Sequence, residues 1–442
     1  MNTAHQDRFQ HPAYQRSRRA YCLECMFEYF VSLLVTETFL AKLLSNIGMS
    51  DALIGVISSF ISVAFLFQLL TVLVVDRITN TKRVAMLFHS ASQLFFMALY
   101  LVPFLPIALP YKSVLVVVFI LLAYFGNYFV TSLIYKWGNS FVEPTKRATF
   151  SAVKESVSLL SGMAVTLILG FVMDVFEANH NLEGGFLFAA AGILIFSLCD
   201  FICLSLMKSE LRAASQKKGE TAVRATEEKI PLREVMKNTL GNRNFRNVMI
   251  LYTLWNVSVY TTVGFLGTYR VKELAFALGT VQLINVFGSL ARALISRPMG
   301  VFSDRFSFSK GIALGMILVS LAFLMIVLTT PESRFLLIAY TLLYQIGQSG
   351  TGQNFLNITY SYVDARYFVQ ATALKNSVGG LFGFLASLGA GQLLKWIQQN
   401  GNSLFGIHVY GQQVLACISL VLMIAAFLFN ILVVQKQKIM IQ

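Results

Sequence analysis

Four carboxyl groups stand in stretches otherwise built largely of Phe, Leu, Val and Ala: Glu24, Glu28 and Glu37 in one stretch and Asp200 in another. An acid in such surroundings is costly to keep ionised, so it pairs with a cation, faces water, or is protonated part of the time. The last state is chemistry, because a carboxyl that takes up and releases a proton can couple that proton to another event. Glu28 and Glu37 suit the role, whereas Glu24 is expected close enough to the end of its stretch to be solvated. A second pattern is the run "LLYQIGQSGTGQNFLN", in which Gln345, Gln348, Ser349 and Gly352 fall within about 100° on a helical wheel. Such a polar stripe would be costly against lipid. A third is a repeated phrase: "VVDRITNTKR" at 74–83 and "GVFSDRFSFSK" at 300–310 share the spacing D-R-x4-K, giving Asp76, Arg77 and Lys82, then Asp304, Arg305 and Lys310.

The elements that carry these residues follow from composition. The chain has 442 residues, 56% of them hydrophobic and only 13% charged, with a mean hydropathy of +0.66. Soluble proteins carry about 25% charged residues, so this is a membrane protein. A helix of roughly 20 apolar residues crosses the hydrocarbon. Stretches of that kind occur at about 22–46, 52–75, 84–104, 112–136, 150–173 and 186–207, then at 246–268, 274–297, 310–330, 334–362, 370–394 and 411–434. The expected fold is an all-α polytopic membrane protein of twelve helices in two sets of six, since alternating barrel strands are absent. Pro103, Pro106, Pro110, Pro144, Pro298 and Pro331 fall at the proposed helix ends, and Pro12 and Pro231 outside helices. The acids in the first stretch, with Lys42, argue against a cleaved signal peptide.

Orientation follows from the 35 Lys and Arg. With the N-terminus inside, 28 fall on the cytoplasmic side and six on the other, with Arg292 inside the eighth helix. Both termini are therefore expected in the cytoplasm, in the plasma membrane or, in a bacterium, the inner membrane. The net charge of +14 is accounted for by this topology, and no nucleic-acid-binding motif accompanies it. The expected organisation is a cytoplasmic segment at 1–21, a six-helix bundle at 22–207, a cytoplasmic linker at 208–245, a second bundle at 246–434 and a tail at 435–442.

The two bundles are repeats. Sliding 142–170 onto 363–391, an offset of 221, pairs Lys154 with Lys375, Gly162 with Gly383 and Gly170 with Gly391 among nine identities, and "SAVKESV" with "TALKNSV". A duplicated six-helix unit is a common basis of transporters. With the repeated D-R-x4-K loops and the "PTKRATFS" run at 144–151, the chain resembles the major facilitator superfamily from the first helix to the twelfth. The second loop keeps Gly300, Asp304, Arg305 and Lys310 of the family's signature, with Ser307 in place of its inner glycine. The first has Val72 and Thr79 in place of the glycines.

The resemblance implies alternating access of two bundles, and a cytoplasmic gate formed by Asp76, Arg77, Lys82, Asp304, Arg305 and Lys310; the competing reading is that these charges only anchor the loops inside. It also implies that the first and fourth helix of each bundle line a central cavity. The polar residues there are Tyr124, Asn127 and Tyr128 in helix 4, Trp255, Asn256 and Tyr260 in helix 7, and Gln345 and Gln348 in helix 10, with Glu28 and Glu37 as proton carriers in helix 1. Amides beside aromatic faces suit a neutral or zwitterionic solute such as a sugar, although amides also glue helices together. Lys154 and Lys375 are expected to snorkel to the interface, and Arg292 to face inward toward a carboxylate.

No phosphate-binding glycine loop is present, "CLEC" at 22–25 opens a membrane helix, and the five histidines are scattered without a partner at metal-ligand spacing. No enzyme, metal site or cofactor is expected. The sequence supports a secondary transporter acting as a monomer in the bilayer, taking up a small polar organic solute with protons. The alternatives are an antiporter exporting lipophilic or cationic compounds and a transporter-like sensor that moves nothing.

Overall fold

The computed structural model describes residues 11–74, 80–142, 147–209, 239–363, 368–404 and 406–437. Their helices form six rods before residue 210 and six after it. The first six are α1 (Pro12–Leu34, resumed as Glu37–Ile47), α2 (Asp51–Ser58, resumed as Phe60–Val74), α3 (Thr81–Leu101), α4 (Leu109–Asn139), α5 (Arg147–Ala178) and α6 (Leu182–Leu206). The second six are α7 (Arg243–Thr262, prolonged irregularly to Glu273), α8 (Leu278–Phe306), α9 (Phe308–Leu328), α10 (Leu336–Tyr360), α11 (Phe368–Gln399) and α12 (Gly411–Leu432). A two-strand hairpin, β1 (Ser403–Leu404) and β2 (Ile407–His408), joins α11 to α12. Among the described residues, nine helices are long and apolar enough to cross a membrane, ten if the bent α1 counts as one span.

Each set packs in the same pattern. In the first, α1 packs on α5 and α6, α3 on α4 and α6, and α2 on α4; in the second, α7 packs on α11 and α12, α9 on α10 and α12, and α8 on α10. Each set has its own main core, around Leu34, Phe96, Ile120 and Phe186 in one and Phe245, Met316, Phe323 and Tyr340 in the other. The two sets meet where α2 crosses α11 and α5 crosses α8, and where the ends of α1 and α2 meet the prolonged end of α7.

Several boundaries differ from the sequence reading, each for a local reason. The first helix begins at Pro12 rather than 22, because Tyr14, Ser17 and Tyr21 are buried, with Tyr14 edge-on to Phe141. Proline is tolerated in a first turn, where its missing N–H has no helical acceptor. The rod then bends by 43° at 35–36, and the Tyr100 hydroxyl donates to the Leu34 carbonyl there. Likewise α8 runs on through Pro298 to Phe306. Asp304 and Arg305 therefore sit in its last turn rather than in a loop. The cap of α9 is Ser307, whose hydroxyl accepts from the Lys310 N–H at 3.2 Å; the cap of α3 is Asn80, accepting from the Arg83 N–H at 3.1 Å.

Candidate functional site

Phenols from α4, α7 and α10 gather between the two sets. Tyr128 lies within electrostatic reach of Tyr124, Tyr252 and Glu28, and Tyr260 within reach of Tyr252, Tyr128 and Tyr344. Tyr128 packs edge-on against Phe65 of α2 at 5.6 Å. Gln348 donates to the Tyr344 hydroxyl at 2.9 Å, fixing that phenol from the next turn of α10. The expected positions Tyr124, Tyr128, Tyr260 and Gln348 thus come together with Glu28. Tyr252 and Tyr344 were missed by sequence reasoning, although each stands one or two helical turns from a residue that was singled out.

Other expected residues have different surroundings. Asn127 is half-buried, and Thr131 donates to its carbonyl at 2.8 Å. Gln345 faces α8, where a Cβ on Gly288 would lie 3.1 Å from its Cγ. Trp255 is packed in the core of the second set, 5.9 Å from the Phe355 ring. Asn256 donates to the Tyr252 carbonyl at 2.7 Å and packs against Gly379 and Gly383 of α11. Glu37 opens the second part of α1, with its side chain outside the described residues, as are Asp76 and Arg77 altogether.

Neither repeated lysine lies free at the surface, a correction to the snorkelling expectation: Lys375 is buried and Lys154 half-buried. Lys375 is 2% exposed, donates to the Phe355 carbonyl at 2.9 Å and the Thr359 hydroxyl at 3.3 Å, and lies 4.6 Å from the Tyr252 ring. Lys154 lies at the same 4.6 Å over Tyr21 and donates to its hydroxyl at 3.2 Å. A cation over an aromatic face is attracted by the ring quadrupole, which offsets part of the loss of water. Gly162 and Gly383 are also equivalent. A Cβ at either would sit 2.4 Å or 2.6 Å from a ring carbon of Tyr29 or Tyr260, so both glycines admit a tyrosine from the first helix of their set.

A second cluster lies away from the phenols, between α1, α3 and α6. Glu24, His89 and Asp200 are all 0% exposed, which overturns both the solvated Glu24 and the partnerless histidines of the sequence reading. His89 Nε2 is 3.0 Å from Asp200 Oδ2 and 3.2 Å from Gln93 Nε2, and Cys25 donates to Glu24 Oε2 at 3.2 Å. One ligand atom from each of the three residues lies within 4.8 Å of the others, a donor set of two carboxylates and an imidazole that could hold a cation. Helix packing, not sequence spacing, brings these groups together.

At the end away from Pro12 and Lys436, polar contacts tie the two sets. Lys272 pairs with Asp51, and Gln398 donates to the same carboxylate at 2.9 Å. Asp174 of α5 accepts from the Leu278 and Gly279 N–H groups at the start of α8, both at 2.8 Å. An anion there also meets the positive end of the helix dipole. Ser387 donates to the Ser59 hydroxyl at 2.8 Å. At the opposite end, Val153, Val157 and Leu160 of α5 and Ala293, Ser296, Arg297 and Gly300 of α8 are exposed, and a Cβ on Gly300 would meet nothing within 4 Å. Lys82 instead donates to the Ser205 and Met207 carbonyls at 2.7 and 2.6 Å, capping α6 of its own set. Lys310 and Arg305 both lie over Phe306, at 5.5 and 5.6 Å, and Asp304 is exposed with no ion pair among the described residues. A surface recess of about 550 Å³ lined by Glu332, His408, Tyr410 and Gln413 lies near the locked end, with His408 in electrostatic reach of Glu273 beside Lys272.

Two pseudo-equivalent sets of six helices, locked together at one end and lined with polar groups between them, define a multi-pass membrane transporter. The chain belongs to the Major Facilitator Superfamily, whose sequence profile matches residues 20–391; it is a secondary transporter and not an enzyme. No curated protein matches it by sequence. Among solved structures it is similar to a bacterial homolog of the human lysosomal transporter Spinster, in an inward-facing and unoccupied conformation, with 14% identity, TM-score 0.72, and 96% of this chain and 97% of that one covered. It is also similar to the nucleoside transporter NupG, at 13% identity and TM-score 0.69, covering 97% of this chain and 100% of that one. A mutant of the peptide transporter POT in complex with alafosfalin matches at 13% identity and TM-score 0.65, covering 94% and 93%. These likenesses carry the fold.

Proposed function

We propose that the protein takes up a small polar organic solute together with protons, by alternating access of two bundles, 22–207 and 246–434, about the phenol group. The single observation that carries this reading is the convergence of Tyr124, Tyr128, Tyr252, Tyr260 and Tyr344 from three helices with Glu28 of a fourth. Phenols and the Gln348 amide offer both donors and acceptors, which fits a solute rich in hydroxyl or amide groups. Nucleosides and peptides, the solutes named for two of the similar structures, are of that kind. Glu28, half-buried beside Tyr128, is placed to sense the solute and exchange a proton with water.

In this reading both termini and the linker 208–245 lie in the cytoplasm, the protein works as a monomer in the plasma membrane, and the structure is open to the cytoplasm. Asp304, Arg305 and Lys310 then pair with the charges around Asp76, Arg77 and Lys82 only when that end closes. The test is uptake of radiolabelled sugars, nucleosides, amino acids and short peptides into proteoliposomes with an imposed pH gradient. Uptake of one class driven by an inward proton gradient, and uncoupled from it by Glu28→Gln, is the expected result. Gradient-driven extrusion of lipophilic cations with no uptake of polar solutes would replace this reading by efflux.

A further inference from the structure

The eighth rod carries an arginine at the middle of its length, and its surroundings are unusual. At about 100° per residue, the exposed Leu283, Phe287, Leu290 and Leu294 fall within about 60° of one another, the stripe expected to face lipid. Arg292 lies about 170° from the centre of that stripe. Val281 and Gly288 share its side of the helix and are buried, Gly288 against Thr341 and Gln345 of α10. Arg292 itself is exposed, and so is Ser296 one turn further on. An exposed residue on the protein-facing side of a membrane helix borders an internal, water-accessible space rather than lipid. The guanidinium reaches along α10, with Nη2 3.9 Å from where a Cβ on Gly352 would stand, in line with the amide stripe of Gln345, Gln348 and Ser349.

The sequence reading has this arginine face inward toward a carboxylate, with no partner named. Among the described residues it makes no ion pair and no side-chain hydrogen bond: the ion pairs are Lys42 with Glu177, His89 with Asp200 and Lys272 with Asp51. An unpaired charge inside a membrane span is costly, and such residues mark the path of an ion or substrate. A guanidinium presents a rigid fork of donors that matches a carboxylate or phosphate with two parallel hydrogen bonds.

We propose that Arg292 binds an anionic group of the transported solute, a carboxylate or a phosphate, in the cavity beside Gly352. This rests on the reading of the protein as a polar-solute transporter and narrows its substrate class: the polar body of the solute faces the phenols and Gln348, and its negative group faces α8. The site disfavours lipophilic cations, which an unpaired guanidinium repels.

Two measurements test the proposal. The first needs no known solute. Gly352→Cys places a thiol beside the guanidinium, and its modification by the anionic sulfonatoethyl methanethiosulfonate is compared with that by the cationic trimethylammonioethyl reagent, against the unmodified chain as background for its native cysteines. The anionic reagent is expected to react faster, and the preference to fall by about tenfold or more in Gly352→Cys/Arg292→Gln. Equal rates with and without Arg292, or no reaction, overturn the proposal. The second is thermal stability of the full chain with matched probes: gluconate against glucose, galacturonate against galactose, glutamate against glutamine, and inorganic phosphate. Carboxylate probes stabilising the chain, with affinity reduced tenfold or more in Arg292→Gln and partly kept in Arg292→Lys, support carboxylate recognition; phosphate alone doing so assigns the phosphate form. Neutral probes binding equally well to the wild type and Arg292→Gln overturn the anion site and leave the transporter reading intact. Anions that bind through Arg292 but are never moved into proteoliposomes support the site and contradict that reading instead.

Discussion

The two sets of six helices share their packing plan and differ in the sign of the ionisable groups they carry inward. The first keeps acids inside: Glu24 and Asp200 are fully buried with His89, and Glu28 is half-buried beside the phenols. The second keeps bases: Lys375 is buried beneath Tyr252, and Arg292 is exposed on the protein-facing side of α8. The shared packing plan is therefore filled with chemically unlike groups in the two sets. In the proposed reading, the acid-bearing set exchanges protons while the base-bearing set holds an anion.

The strongest way to break this contrast is at the buried acid cluster. His89→Leu leaves two buried carboxyl groups without their imidazole partner and is expected to destabilise the protein by about 3–5 kcal/mol, read as a lower denaturation midpoint. Replacing Asp200 by Leu as well should recover part of that loss. Next come the glycines that the duplication kept. Gly162→Ala and Gly383→Ala each push a methyl group into a tyrosine ring, at an expected cost of about 1–3 kcal/mol. The two costs should match within about 0.5 kcal/mol if the sets are equivalent there; a large difference would show that the pseudo-symmetry is only topological.

Smaller effects sharpen the account. Asp51→Asn removes the pairing with Lys272 that ties the locked end, expected to cost about 1 kcal/mol and to shift population toward a form open at that end. Ser387→Cys, hidden between the sets beside Ser59, should then be alkylated several-fold faster than in the otherwise unaltered chain. Tyr128→Phe should change stability by less than about 0.5 kcal/mol while reducing uptake. Unchanged uptake would remove Tyr128 from the site.

Much of the architecture was legible in the sequence because lipid imposes a simple rule. Apolar stretches of spanning length marked the rods, and the offset of 221 that paired Lys154 with Lys375 and Gly162 with Gly383 corresponds to equivalent contacts in the structure. Part of the phenol grouping was legible too, since Tyr128, Tyr260 and Gln348 were polar residues in helices that the family resemblance assigned to a cavity. What could not be read was contact between rods. Glu24, His89 and Asp200 are separated by most of a bundle in sequence, so neither their meeting nor the burial of Glu24 has a local signal. Trp255 and Tyr252, three residues apart, have the same polar-aromatic character. Only the rotation of α7 puts Trp255 against the core and Tyr252 among the phenols. Helix ends were misjudged where burial outweighed polarity, as at Tyr14 and Ser17 in the first turns of α1.

The most direct measurement of the central claim is a thermal-stability screen of the purified chain against sugars, nucleosides, amino acids, organic acids and lipophilic cations at pH 6 and pH 7.5. A ligand at about 100 times its Kd stabilises the folded state by about 2.7 kcal/mol, enough to read even for weak binding. The account predicts stabilisation by one polar class, dependent on pH, weakened by Gln348→Ala and made independent of pH by Glu28→Gln. Stabilisation by lipophilic cations alone, insensitive to Gln348→Ala, would contradict it.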